Sequence, residues 1–299
     1  MISRIGNSGL LLALTGFATL SVGDAVVKSI AGEWPGTAVA ALRYIVGAFG
    51  LGMLLWMVEG RAGFRMPMPK IQLLRGSMVA LATLCFFSAI FLMPLAEATA
   101  IIFVSPMITA LLSAVFLGER ASRATWIASI IAFVGVVIIL RPNVALLGWA
   151  ALLPLIAATG MAAMMIGNRK VAGTGSVLLM QFLIAVIAAP FLLLAAIIGH
   201  FSGYEPLVVS VPDWTIVARC AVVALTASFS HWLIYLGTTK ASAARVAPAV
   251  YVQILMSLGL GMIFFSDWPD ALSLTGSAII IGAGVYLWNS KRTPEKGAA

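Results

Sequence analysis

The sequence predicts an all-α membrane protein of ten transmembrane helices, arranged as an inverted repeat of two five-helix halves with both termini cytoplasmic. Three observations lead there. Of 299 residues, 62% are hydrophobic and 9% are charged. A soluble chain carries about 25% charged residues, so there is too little polar surface here to cover a water-facing fold. The apolar residues fall into ten runs, each close to the roughly 17–25 residues that a spanning helix needs. Finally, two segments resemble each other. Ala96–Glu119 and Ser242–Asp267 are both apolar and both contain one proline. Both end in an apolar–small–acidic tripeptide (Leu117-Gly118-Glu119 and Phe265-Ser266-Asp267), and both are followed by another apolar run. A pattern that recurs reads as two copies of one unit, and in a membrane protein two copies point to a transporter built from repeats.

In chain order, the runs are 9–30, 36–58, 71–93, 96–117, 123–140, 145–168, 174–199, 213–238, 242–265 and 270–289. Helices are the expected conformation, because lipid cannot satisfy an open strand edge. Orientation follows from the basic residues. With the N-terminus inside, the cytoplasmic segments hold Arg4; Arg61, Arg65, Lys70 and Arg75; Arg120 and Arg123; Arg169 and Lys170; Lys240 and Arg245; and Lys291, Arg292 and Lys296. The external connections hold only Arg141, and Lys28, Arg43 and Arg219 lie within spans. Net charge is +8; this topology accounts for it without a nucleic-acid partner. Each half, 1–143 and 144–290, has five crossings, so the second enters the membrane upside down relative to the first. Residues 291–299 read as a polar, disordered cytoplasmic tail. The connections are short, except His200–Pro212, an external loop either plain or partly covering the mouth.

Several classes find no support. Leu10–Leu20 behind Arg4 resembles a signal peptide, but nine similar spans follow and no small-x-small cleavage site is clear. Cys85 and Cys220 both lie in apolar spans and read as inert buried thiols. There is no phosphate-binding G-x-x-x-x-G-K-[ST] loop, no metal-ligand constellation, and no nucleophile–base pair. The reading is therefore a non-enzyme with no cofactor and no metal.

The motifs point to a family. Gly23…Lys28…Pro35…Arg43, Ala98-x-Ala100, Ser105-Pro106 and Leu117-Gly118-Glu119-Arg120 resemble the EamA-type repeat of the drug/metabolite transporter superfamily. Arg245-Val246-Ala247-Pro248, Tyr251-x-Gln253-Ile254 and Phe264-Phe265-Ser266-Asp267-x-Pro269-Asp270 resemble its second copy, with Ser266-Asp267 where Gly-Glu is usual. The resemblance covers about residues 9–289 and is greatest to the YddG-type amino-acid exporters. It implies a basket in which spans 1–4 and 6–9 surround a central cavity and spans 5 and 10 prop the halves from outside.

Charges inside a span need a partner or a wet cavity. In span 1, Ser21, Asp24 and Lys28 share a face by their three- and four-residue spacing. In span 2, Arg43 lies on a stripe with Gly36, Ala40, Gly47 and Gly50 that lets another helix approach closely. Asp24 is expected to pair with Arg43 or Lys28 near the outer end, as a gate, a substrate-charge contact or a structural ion pair. Glu97 opens span 4, where the helix dipole favours an acid; it reads as a cap or as a gate. Glu119 and Asp267 are expected to cap the helices that follow them. Span 8 carries two polar faces, Arg219/Thr226/Ser230 and Ser228/His231/Tyr235, and only one is expected to face the cavity. His231 suits proton coupling or a structural hydrogen bond, and Trp232 beside it is a pocket candidate. In span 9, Tyr251, Gln253 and Ser257 read as substrate contacts or interhelical hydrogen bonds. Pro106 and Pro248 are hinge candidates, because proline removes a backbone bond. Trp34, Trp56, Trp126, Trp149, Trp214, Trp268 and Trp288 read as an interfacial belt.

The carboxylates within spans lie in the outer half with basic neighbours, whereas an organic-cation exporter needs one at mid-membrane. The middle instead holds Ser105, Thr226, Ser228, Tyr251 and Gln253, which suit a small zwitterion or polar solute. The expected function is export of amino acids or related small metabolites across a bacterial inner membrane by alternating access, by a monomer or a homodimer. The alternatives are a carrier of phosphorylated metabolites or nucleotide sugars, an organic-cation drug exporter and, from a different class, an intramembrane enzyme.

Overall fold

The computed structural model describes residues 2–116, 123–171, 173–240, 249 and 252–290. Among the described residues the chain is helical, with no strand. The helices are α1 (Ile2–Lys28), α2 (Gly36–Glu59), α3 (Pro69–Leu92), α4 (Leu95–Ile102), α5 (Ser105–Phe116), α6 (Arg123–Leu147), α7 (Leu153–Val171), α8 (Val177–Phe201), α9 (Trp214–Lys240), α10 (Val252–Phe265) and α11 (Ala271–Ser290). Six stretches are long and apolar enough to cross a membrane: Leu11–Lys28, Gly36–Glu59, Pro69–Leu92, Gly148–Val171, Val177–Phe201 and Trp214–Ile234. Shorter apolar helices cover Leu95–Thr109, Trp126–Ile139, Val252–Phe265 and Ala271–Tyr286.

Span 4, expected to be continuous, is two helices. The break at Phe103 and Val104 lies just before Pro106. Proline has no N–H to offer the Ile102 carbonyl four residues back, and its ring crowds that carbonyl. Pro190 is tolerated inside α8, which runs unbroken from Val177 to Phe201. α6 continues to Leu147, and Gly148 turns the chain with φ +60°, a left-handed conformation that glycine adopts without strain.

The principal helix pairs are α1 with α9, α3 with α7, α2 with α8 and α6 with α11; lesser ones join α3 to α8, α2 to α9, α1 to α10 and α5 to α7. These pairs are related. If α1, α2, α3, α4–α5 and α6 are exchanged for α7, α8, α9, α10 and α11, then α1–α9 becomes α7–α3, α2–α9 becomes α8–α3, and α1–α10 becomes α7–α5. The α2–α8 and α6–α11 pairs map onto themselves. Glycines set the crossings. A Cβ on Gly135 would lie 2.8 Å from the Gly276 carbonyl oxygen, and one on Gly276 would lie 2.7 Å from that of Gly135. Only hydrogen fits there, which lets the two backbones touch. Along α1–α9, Gly16 lies under the Ser230 carbonyl and Gly237 under that of Gly9.

The long connection after α8 folds back on the end of α8 and the α1–α2 connection. His200 Nδ1 accepts from the Val209 N–H at 3.0 Å, and Trp34 Nε1 donates to the Ser210 carbonyl at 2.9 Å. Trp34, at 8% exposed, is therefore a buried tie and not part of an interfacial belt. Trp56, Trp126, Trp149, Trp214 and Trp268 are exposed, and the Trp288 side chain lies outside the described residues.

Candidate functional site

α1 presents three polar residues to three different surroundings. The Ser21 hydroxyl lies 3.3 Å from the Gln253 carbonyl on α10. Lys28 forms an ion pair with Asp267, just beyond α10, and donates to the Met93 carbonyl at 3.1 Å. Both side chains of the pair are largely covered, at 11% and 19% exposed. The Asp267 carboxylate also accepts from the Leu95 N–H at 3.3 Å. One ion pair thus joins α1, the α3–α4 elbow and the end of α10.

This arrangement corrects two expectations. Asp267 does not cap α11; Asp270 does, accepting from the Ser273 N–H at 2.6 Å. Asp24 does not pair with Lys28 or Arg43: among the described residues its carboxylate has no ion pair or hydrogen bond. Glu97 is buried and accepts from the Ser273 hydroxyl at 2.7 Å, which ties α4 to α11. Glu119 lies outside the described residues.

Arg219 meets the α1–α2 connection. Its guanidinium forms a two-pronged ion pair with Glu33 and donates to the Ser29 carbonyl at 2.9 Å. The Arg219 hydrogen bond holds the Glu33 carboxyl below its ordinary value. Ser273 does the same for Asp270, through its backbone N–H.

The two polar faces of α9 are now distinguishable. Thr226 and Ser230 lie against Gly23 and Gly16 of α1, so that face is packed. The other carries His231, which is accessible, and Ser228, which is half-buried and donates to the Ala224 carbonyl of its own helix at 2.9 Å. Trp232 shares the exposed stripe of Leu225 and Phe229, with ring centroids 5.9 Å apart from Phe229. The Tyr235 side chain lies outside the described residues.

Arg43 lies on α2, which packs against α9. Its guanidinium sits 5.0 Å from the Tyr44 ring centroid and 5.3 Å from that of Phe87. Among the described residues it makes no hydrogen bond or ion pair. Asp24 follows Gly23, which lies against Thr226 of α9.

Of the remaining candidates, Gln253 and Ser105 are half-buried, and Ser257 is buried and hydrogen-bonded to Thr99 at 3.2 Å. Tyr251, Pro248 and the Pro106 side chain lie outside the described residues. Sequence reasoning missed Arg75, which it counted as a cytoplasmic charge. Arg75 is 2% exposed on α3, donating to Asn168 Oδ1 at 2.6 Å and to Gln72. The Gln72–Arg75 spacing of three residues, one helix face, was the available signal.

The EamA-like transporter family matches this chain twice, over residues 7–141 and 148–290. The pseudopaline exporter CntI of Pseudomonas aeruginosa (strain UCBPP-PA14) is 30% identical, over 98% of this chain and all of its own. A riboflavin transporter of Rhizobium johnstonii is 26% identical, covering 80% of this chain and 77% of its own. An S-adenosylmethionine uptake transporter of Rickettsia prowazekii is 22% identical, covering 95% and 94%. One crystal structure superposes with a TM-score of 0.59 at 21% identity, covering 97% of this chain and 98% of its own; it shows the fold alone. The chain is a multi-pass membrane protein that belongs to the EamA-like transporter family, whose unit it carries twice.

Proposed function

We propose that this protein is a secondary transporter that exports amino acids or related small metabolites across a bacterial inner membrane by alternating access. The observation that carries the reading is the exchange relation among helix pairs: each principal inter-half pair has a counterpart when the halves are swapped. Two units that face each other through the same surfaces can rock about a shared site. The reading takes ten crossings, counting α4–α5 as one, with both termini cytoplasmic as the Lys and Arg distribution requires. The halves are 1–143 and 144–290, in opposite orientations. Relatives named as carriers of pseudopaline, riboflavin and S-adenosylmethionine support a small-molecule cargo. The polar side chains carried by α2, α9 and α10 (Arg43, Ser228, His231 and Gln253) favour one with both hydrogen-bonding and charged ends.

The test is uptake of labelled threonine, methionine or phenylalanine into sealed proteoliposomes, with and without a pH gradient. Uptake competed by unlabelled amino acids is expected, and its response to the gradient reports coupling. No uptake of any of the three, in vesicles shown to be sealed and loaded, overturns the amino-acid reading. Gln253→Ala and Tyr251→Ala are expected to lower uptake with normal membrane insertion; wild-type rates in both remove span 9 from the site.

A further inference from the structure

The two halves of α2 differ in their cover. The stretch from Thr37 to Ala41 is buried, whereas Phe49, Met53, Trp56 and Met57 are exposed. Phe49 and Trp56, seven residues apart and so on one stripe of the helix, stand on either side of Gly52. With Ala48 and Met53 they line a notch of about 500 Å³ whose side chains are all apolar.

The connection that follows folds back on this end of α2. A Cβ on Gly63 would lie 3.2 Å from Leu55 Cδ1 and 2.7 Å from Glu59 Cβ. The Phe64 ring meets that of Phe182 edge-on, with centroids 5.4 Å apart, and Phe182 in turn lies against Gly52. The connection and the notch are therefore tied together through α8. Along the connection, bases and apolar side chains alternate. Arg61, Arg65 and Lys70 are exposed and, among the described residues, their side chains make no hydrogen bond or ion pair; Phe64, Met66 and Met68 are exposed between them. From Trp56 to Lys70 there are three bases and one acid, Glu59, a net charge of +2.

These two features lie in adjacent layers of a bilayer. Phe49 to Trp56 covers about 10 Å of helix, which fits within the roughly 15 Å of hydrocarbon in one leaflet. The bases, past the end of the span, are at the level of the headgroups. An apolar wall alone would take any lipid. Bases beside a span attract anionic lipid, and the forked donors of arginine match a phosphate. A second copy of this chain seated on the same face would bring its own bases against these, and like charges across an interface are costly.

We propose that this face holds one anionic phospholipid, with an acyl chain in the notch between Phe49 and Trp56 and the phosphate against Arg61 and Arg65. Lys70 adds charge at the far end of the connection. On the topology proposed above the lipid belongs to the cytoplasmic leaflet, and its binding does not depend on which solute the protein carries.

The test uses the full-length protein reconstituted in phosphatidylcholine bilayers. Phosphatidylglycerol with brominated acyl chains, which quench tryptophan on contact, is added in increasing mole fraction. The Trp56 signal is the difference between the wild type and Trp56→Phe. Phosphatidylglycerol is expected to quench it with an affinity at least about tenfold that of brominated phosphatidylcholine. Arg61→Gln and Arg65→Gln are each expected to cut that ratio about fivefold, and the double variant to bring it near one. Inorganic phosphate, compared with chloride at equal ionic strength, is expected to leave the quenching unchanged. A wild-type ratio near one overturns the proposal, because α2 then meets bulk lipid only, and this ratio decides by itself if the double variant does not reconstitute. A high ratio that neither arginine variant lowers removes the phosphate from the connection and overturns it too. Reversal by inorganic phosphate would mean an anion site without the acyl notch. Trp56 shielded from both brominated lipids would also overturn it, and a cross-linked dimer would then name a second copy as the occupant.

Discussion

Lys28→Met removes the cation that joins α1, the α3–α4 elbow and the end of α10. In the wild type its ammonium meets the Asp267 carboxylate and the Met93 carbonyl. Without it, a carboxylate that is 19% exposed keeps only the Leu95 N–H at 3.3 Å. Breaking a fully buried pair costs about 3–5 kcal/mol, and a fully exposed one is worth about 0–1 kcal/mol. With four-fifths of each side chain covered, the expected loss is about 2–3 kcal/mol. Asp267→Asn keeps an acceptor for Leu95 and is expected to cost about 1–2 kcal/mol by the same reasoning. The double variant buries no unpaired charge, so its cost falls short of the sum, by a coupling of about 1–2 kcal/mol. The assay is reversible unfolding in mixed micelles, followed by far-ultraviolet circular dichroism. If the double variant equals the sum of the singles within about 0.5 kcal/mol, Lys28 and Asp267 do not act as a pair and the latch is refuted.

Four further outcomes follow from the same structure. Gly276→Ala places a methyl group 2.7 Å from the Gly135 carbonyl oxygen and is expected to destabilise by about 1–3 kcal/mol in the same unfolding assay. Ser266, at φ +54°, occupies the left-handed region that favours glycine, so Ser266→Gly is expected to raise the midpoint, by about 1 kcal/mol. Glu33, held below its ordinary value by Arg219, stabilises above the ordinary carboxylate range of about 4.3, and that contribution is lost as pH falls through its lowered value. Arg219→Gln should return the Glu33 titration upward, as followed by carboxyl NMR, and no movement would separate the two residues. Cys220, 0% exposed, is expected to resist a membrane-impermeant maleimide added outside. In Lys28→Met a shift of about 1.4 kcal/mol toward an open outer end raises the reactive population about tenfold, and equal labelling rates would argue against the latch as a gate.

The helices were legible because bilayer thickness leaves its length on every apolar run, and α2, α3, α8 and α9 end within a few residues of the runs that announced them. The partners of the charges were not. Ser21, Asp24 and Lys28 share a stripe on α1, yet α10 crosses it at both ends and takes Ser21 and Lys28, leaving Asp24 between. Lys28 and Asp267 are 239 residues apart, and no local spacing relates them. Which face of α9 packs on α1 was written in the sequence, but on the other helix. Gly9, Gly16 and Gly23 recur every seven residues on α1, and such a stripe demands a close neighbour. That neighbour is the side of α9 bearing Thr226, Ser230 and Gly237, and His231 lies off it. The break in α4–α5 was signalled by Pro106, although a kink within one span and a division into two helices look alike in sequence.

The latch closes on the last turn of α1, and its strength limits how it can work. A latch of about 2–3 kcal/mol holds a closed-to-open ratio of about 30 to 160, firm enough to seal the outer end and weak enough for a bound substrate to reverse. A ligand shifts such an equilibrium only by its difference in affinity for the two states. Lys28 sits at the end of one rigid helix, so a rotation of α1 on substrate binding also moves Lys28 relative to Asp267. Substrate should therefore raise Cys220 labelling in the wild type, and the rise should be much smaller in Lys28→Met, where the latch is already absent. Labelling that responds to substrate as strongly in Lys28→Met as in the wild type would mean that the signal to open does not pass through the latch.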